Sequence, residues 1–104
     1  MIAVIFEVEM KAGREQEYFD LAAKLRPELE KIDGFISVER FESLTNEGKY
    51  VSLSFWSDED AVSRWRAHAE HQMAQRRGKN EIFADFRIRV ADVIRDYTLA
   101  DRKD

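Results

Sequence analysis

Lys49-Tyr50-Val51-Ser52-Leu53-Ser54-Phe55-Trp56 is the stretch from which the rest of the chain can be ordered. Side chains alternate across a strand, so Val51, Leu53 and Phe55 share one face while Tyr50, Ser52, Ser54 and Trp56 share the other. Neither face is charged from Tyr50 to Trp56, and a strand of that kind is covered on both sides. One cover follows directly in the chain. Ser57 offers a hydroxyl cap and Asp58-Glu59-Asp60 place acids at the positive end of a helix dipole, which predicts a helix running to about Met73.

Ahead of the strand, Leu44-Thr45-Asn46-Glu47-Gly48 reads as a hairpin loop, because Asn and Gly accept positive φ. Its other arm is a strand over residues 35–43. Asp33-Gly34 closes a helix over residues 14–32, whose apolar positions 18, 21, 22, 25, 29 and 32 recur at helical spacing. Pro27 lies inside that helix, lacks an amide proton and predicts a kink. Before the break at Lys11-Ala12-Gly13, Ile2, Val4, Phe6, Val8 and Met10 alternate with Ala3, Ile5, Glu7 and Glu9, a first strand. Past the second helix, residues 74–86 read as less regular, with Gly78 as a break and Ile82-Phe83-Ala84-Asp85-Phe86 as a short apolar turn. Residues 87–98, rich in Ile and Val, predict the last strand. The order is β-α-β-β-α-β, an α+β ferredoxin-like arrangement with an antiparallel four-stranded sheet and both helices on one face. The other face needs a cover too, and a second copy of the chain is the simplest one, so a homodimer is predicted.

The 104 residues are expected to form one domain over 1–104, the last few residues being a tail. An aromatic share of 12% opposes disorder, and the absence of Cys removes disulfides, thiolate catalysis and Cys-held metals. With 17 Lys+Arg against 21 Asp+Glu the net charge is −4, the wrong sign for a nucleic-acid module. Arg76, Arg77, Lys79, Arg87 and Arg89 form a local basic cluster interrupted by Glu81 and Asp85, read mainly as a solvated surface. The opening residues lack a basic leader and nothing approaches a membrane span, so no membrane partner and a cytoplasmic location are expected.

His68 and His71 lie one turn apart on the second helix, but no further residues show metal-ligand spacing, so no metal is expected. Val62, Trp65, Ala69 and Met73 form an apolar stripe on the same helix. Trp65 either packs into the core or walls an apolar pocket, with its indole N–H free to donate. His71 falls nearly opposite the stripe and is either solvated or turned toward a cleft. No acyl-transfer serine motif and no phosphate-cradling glycine loop is present.

The run from Phe55 through His71, with Met73-Ala74-Gln75-Arg76-Arg77-Gly78-Lys79 and the strand from Arg87 to Tyr97, resembles the antibiotic biosynthesis monooxygenase family over nearly the whole chain. Gly34-Phe35 after the first helix fits as well, with Asp33 where the family commonly has proline. The resemblance implies a dimeric α+β barrel and a small-molecule pocket between each sheet and its helices. It also implies oxidation of a small aromatic or enolisable compound with no cofactor, the deprotonated substrate itself passing an electron to oxygen. It puts the family's pocket tryptophan at Trp65, sets His71 where quinone-forming members carry a tyrosine, and aligns a strand arginine with Arg87. Trp65 and His71 are then the expected catalytic residues, and Phe6, Trp56, His68, Phe83 and Arg87 the expected substrate-binding ones. The resemblance leaves two other uses of the pocket: a non-catalytic binding or stress-related dimer, and haem degradation. Against haem, Gln75 stands where haem-degrading relatives carry their axial His, and Phe6 where they carry an Asn.

Overall fold

A computed structural model describes residues 1–75 and 83–101, and of residues 70–75 the backbone alone. The elements are β1 (Ile2–Met10), α1 (Glu15–Glu30), β2 (Phe35–Glu42), β3 (Lys49–Trp56), α2 (Glu59–Gln75) and β4 (Phe83–Asp92). A short 3₁₀ turn, Leu99–Asp101, follows. The strands make one sheet in the order β2-β3-β1-β4, each neighbouring pair antiparallel, so the ferredoxin-like reading holds. No helix among the described residues is long and apolar enough to cross a membrane.

Register assigns the two faces. Ile2, Val4, Phe6, Val8 and Met10 of β1 point to the helices, and their partners on β3 are Trp56, Ser54, Ser52 and Tyr50 for the first four. They bury two apolar clusters. One gathers Val8, Met10, Tyr18 and Leu21, with Phe6, Phe19, Leu25, Tyr50 and Phe83 packed against it. The other gathers Ile2, Leu29, Trp56 and Ala61, with Phe35, Val38, Val62 and Trp65 among its partly buried neighbours. Burying a side chain such as Val8 stabilises the fold by about 1.5–3 kcal/mol, which gives each cluster weight. The opposite face carries Ala3, Ile5 and Glu7 of β1 beside Phe55, Leu53 and Val51 of β3.

The elements differ from the sequence reading chiefly at both ends of β4 and of α2. Strand β4 covers Phe83–Asp92 and not residues 87–98, so Phe83 to Phe86 are strand and not a turn. The cause lies in its partner: pairing with β1 runs from Met10↔Phe83 to Ile2↔Asp92, and the last bond is Val93 N–H to the Met1 carbonyl at 3.0 Å. A strand without a partner has no ladder to join, so Ile94 and Leu99 lie exposed beyond it. Helix α2 begins at Glu59, and its cap is Asp58 in place of Ser57: Asp58 Oδ1 accepts the Ala61 N–H at 2.8 Å. The helix also runs two residues past Met73, to Gln75. Gly78 and the basic residues Arg76, Arg77 and Lys79 lie outside the described residues. Helix α1 continues through Pro27 to Glu30.

Gly34 locks the joint between α1 and α2. Its φ is +95°, and a Cβ there would stand 2.6 Å from Ser57 Oγ and 2.7 Å from Ala61 Cβ. The Gly34 carbonyl accepts the Ser57 N–H at 2.7 Å, and the Asp33 carbonyl accepts Arg64 Nη2 at 2.8 Å. Only glycine permits both this backbone and this approach. The result fixes the start of α2, and with it Trp65, over the sheet.

Candidate active site

Trp65 faces the sheet from α2. Its ring stacks on Trp56 at 6.5 Å between centroids and 27° between planes, and it meets His68 at 5.6 Å. Trp56 is 1% exposed, its indole N–H spent on Ser54 Oγ at 2.9 Å. Trp56 is therefore a wall behind Trp65, with no donor left to offer. Trp65 is only partly buried, so it both packs on the core and keeps an open edge. His68 turns toward α1: its Nε2 is covered and lies 3.4 Å from Glu28 Oε1, outside hydrogen-bond geometry.

A second set of rings sits at the other end of the same face. Phe6 and Phe83 meet edge-on at 5.9 Å, Phe83 and Tyr18 at 5.8 Å, and Phe19 and Tyr50 at 5.3 Å. Between the two ends the floor is apolar on β1 and β4 and turns polar on β3, where Ser52 and Ser54 stand. Register sets Arg40, Ser52, Phe6 and Ile88 in one row across the sheet, and Val38, Ser54, Val4 and Val90 in the next. On β4 this floor is open: Ile88 is 52% and Val90 50% exposed on the side the helices occupy. Two hollows, of about 290 and 440 Å³, lie elsewhere on the described residues. One is beside Glu7, Phe41 and Lys49, the other beside Met1, Asp58 and Asp92, and neither holds a residue expected at the site.

Of the expected residues, Trp65, Trp56, His68, Phe6 and Phe83 share the helix side of the sheet. Arg87 does not join them. It stands opposite Glu7, on the outer face, because β4 alternates Phe86, Ile88 and Val90 inward with Arg87 and Arg89 outward. His71 lies on α2, with its side chain outside the described residues. Two residues went unmarked in the sequence. Tyr18 of α1 is buried, and burial pushes its phenol above the ordinary tyrosine value of 10.0 while the neighbouring Arg40 guanidinium pulls it back. Arg40 Cζ lies 5.9 Å from the centre of the Tyr18 ring. The signal for Tyr18 was its place on the α1 stripe; the signal for Arg40 was its phase with Val38.

Among the described residues no group of three or more His, Asp or Glu is placed to hold a metal ion. His68, with Nε2 against Glu28, does not fit an axial bond to haem iron.

The comparisons with known proteins agree with this fold. The antibiotic biosynthesis monooxygenase family matches residues 1–77, and the chain belongs to that family. A jasmonate monooxygenase from Pyricularia oryzae is 45% identical over 93 residues; the match covers 89% of this chain and 43% of the relative, so the chain spans less than half of that protein. The uncharacterised YqjZ of Bacillus subtilis is 31% identical over 93 residues, covering 89% of this chain and 79% of its own. Among solved structures, the haem degrader MhuD of Mycobacterium tuberculosis, with two haems in its active site, superposes with a TM-score of 0.74 at 20% identity, over 94% of this chain and all of the other. At that identity the likeness is one of fold.

Proposed function

We propose that the chain is a monooxygenase that oxidises a small aromatic or otherwise enolisable compound between its sheet and helices, using no metal, flavin or haem. The observation that carries this reading is the open apolar floor of β4, where Ile88 and Val90 stay half exposed beside Phe6 on the helix side of the sheet. Exposed apolar surface bordered by aromatic rings suits an apolar guest. Family membership and the relative named for jasmonate oxidation support an oxygenation at that place.

In this reading the substrate gives up a proton from an acidic C–H, and the carbanion passes one electron to O₂. The radical pair joins as a hydroperoxide at that carbon, and loss of water leaves a carbonyl. A CH₂ group and O₂ thus become C=O and H₂O. Trp65 walls the pocket and offers its indole N–H to the enolate oxygen. His71 takes the proton as general base. Phe6, Phe83 and His68 complete the walls. Two copies pack through their outer faces, where Ile5, Leu53 and Phe55 are gathered.

The test is oxygen uptake by the purified chain with an anthrone-type phenol. One O₂ is consumed per carbonyl formed, and His71→Ala slows turnover about a hundredfold, as loss of a general base does. A melting temperature raised by a phenol that is recovered unaltered, without oxygen uptake, would make this a binding protein instead. Haem titration is expected to leave the Soret region without a protein-dependent shift.

A further inference from the structure

Arg40 is a cation in a place built for apolar side chains. It faces the helices from β2 because the sheet slips there: Phe35 pairs with Trp56 but Ser37 already pairs with Phe55, leaving Ile36 as an extra residue. Past that bulge Val38 and Arg40 take the inner face while Ser37 and Phe41 take the outer one. The guanidinium then lies over the Tyr18 ring, and its Nε is covered yet has no hydrogen-bond partner. The ion pairs formed among the described residues leave Arg40 out, although Glu39 and Glu42 are close by in the strand. The guanidinium interacts with the Tyr18 phenol, but a covered Nε–H without an acceptor carries a desolvation cost that a bound acceptor would remove.

The surroundings say which ligand. Arg40 occupies the same row as Ser52, Phe6 and Ile88, so a line from it crosses one small hydroxyl side chain and then reaches the open apolar floor. Strands stand about 4.8 Å apart, which sets Phe6 roughly 10 Å from Arg40 and Ile88 one strand further. A molecule of that length, apolar along its body and anionic at one end, would satisfy both. The planar fork of a guanidinium matches the two oxygens of a carboxylate.

We infer that Arg40 receives the carboxylate of the substrate, making this a site for small apolar acids lying along the Arg40–Ser52–Phe6–Ile88 row. The inference rests on the reading that substrate enters between sheet and helices, and goes beyond it by naming the acid group and the residue that holds it. Arg40 is here a specificity-determining residue, apart from the chemistry proposed for Trp65 and His71.

The experiment compares 1-naphthaleneacetate with its uncharged amide, by calorimetry on the full chain, for the wild type, Arg40→Gln and Arg40→Lys. The wild type is expected to bind the acid about tenfold or more tighter than the amide, the worth of one charge-assisted bond. Arg40→Gln should lose that preference, with its fold checked by circular dichroism. Arg40→Lys, keeping the charge without the fork, should fall between. Equal binding of acid and amide by the wild type, or a preference that survives in Arg40→Gln, would overturn the role of Arg40 and leave the pocket standing. Binding of neither compound to the wild type would remove the pocket reading and Arg40 with it. Should Arg40→Gln not fold, the wild-type ratio and the Arg40→Lys ratio decide.

Discussion

Glu7 reaches past Arg87, the residue opposite it on β4, and bonds Arg89 instead, with Oε2 2.6 Å from Nη1. Lys49 Nζ approaches the other carboxylate oxygen at 3.7 Å. The Arg89 hydrogen bond, helped by the charges of Lys49, Arg89 and Arg87, holds the Glu7 carboxyl below its ordinary value of 4.5. A depressed carboxyl adds stability above its unfolded pKa and gives it up as pH falls through the lower, folded value. The wild type should therefore lose melting temperature on acidification below about pH 4.5, and Glu7→Gln should show a flatter profile in that window. Circular dichroism melts at successive pH values read both slopes, and parallel curves would remove Glu7 from the acid response.

Gly34→Ala is expected to destabilise the chain by about 2–4 kcal/mol, since it meets both a positive φ and a closed space. Gly48, at φ +79° with nothing within 4 Å of its missing Cβ, is the control. Gly48→Ala should lose only about 1 kcal/mol. Urea denaturation of the two variants separates backbone strain from crowding against Ser57 and Ala61; equal losses would deny the crowding.

Ser54→Ala removes the hydroxyl that accepts the Trp56 indole N–H in its buried setting. An indole N–H left without an acceptor costs about 1–3 kcal/mol. Ser52→Ala, in the neighbouring row, should be nearly neutral. Denaturant midpoints distinguish the pair, and a Ser54→Ala midpoint equal to wild type would mean that the hydrogen bond contributes nothing net.

Leu53→Arg places a charge in the middle of the outer face, between Ile5 of β1 and Glu39 of β2. Sedimentation should show the wild type at about twice the 12.3 kDa chain mass and the variant at the chain mass. A wild type sedimenting as a single chain would end the proposed pairing of sheets.

The sequence exposed β3 and both of its faces because alternation is a local property: nothing outside residues 49–56 was needed to see it. The ends of β4 depend on a remote partner. Ile94 looks as strand-like as Ile88 and Val90, but the ladder with β1 ends at Ile2↔Asp92, with Val93 N–H on the Met1 carbonyl as its last bond. The cap of α2 failed for a related reason. Ser57 and Asp58 are both good caps, and the Gly34 contact settles which of the two stands at the helix end. At the site, the rings were legible as apolar positions in phase. Arg40 was not, since one extra residue at Ile36 reverses which side of β2 faces inward. Arg87 could have been assigned correctly from its own strand, where it alternates with Phe86 and Ile88.

The stacked indoles have an optical consequence. Trp56 is sealed and Trp65 keeps an edge toward the solvent, 6.5 Å away. Rings that close exchange excitation before they emit, so light absorbed by the hidden one can leave through the other. A guest that touches Trp65 alone would then dim or recolour the glow of both, giving the chain a built-in gauge that needs no dye.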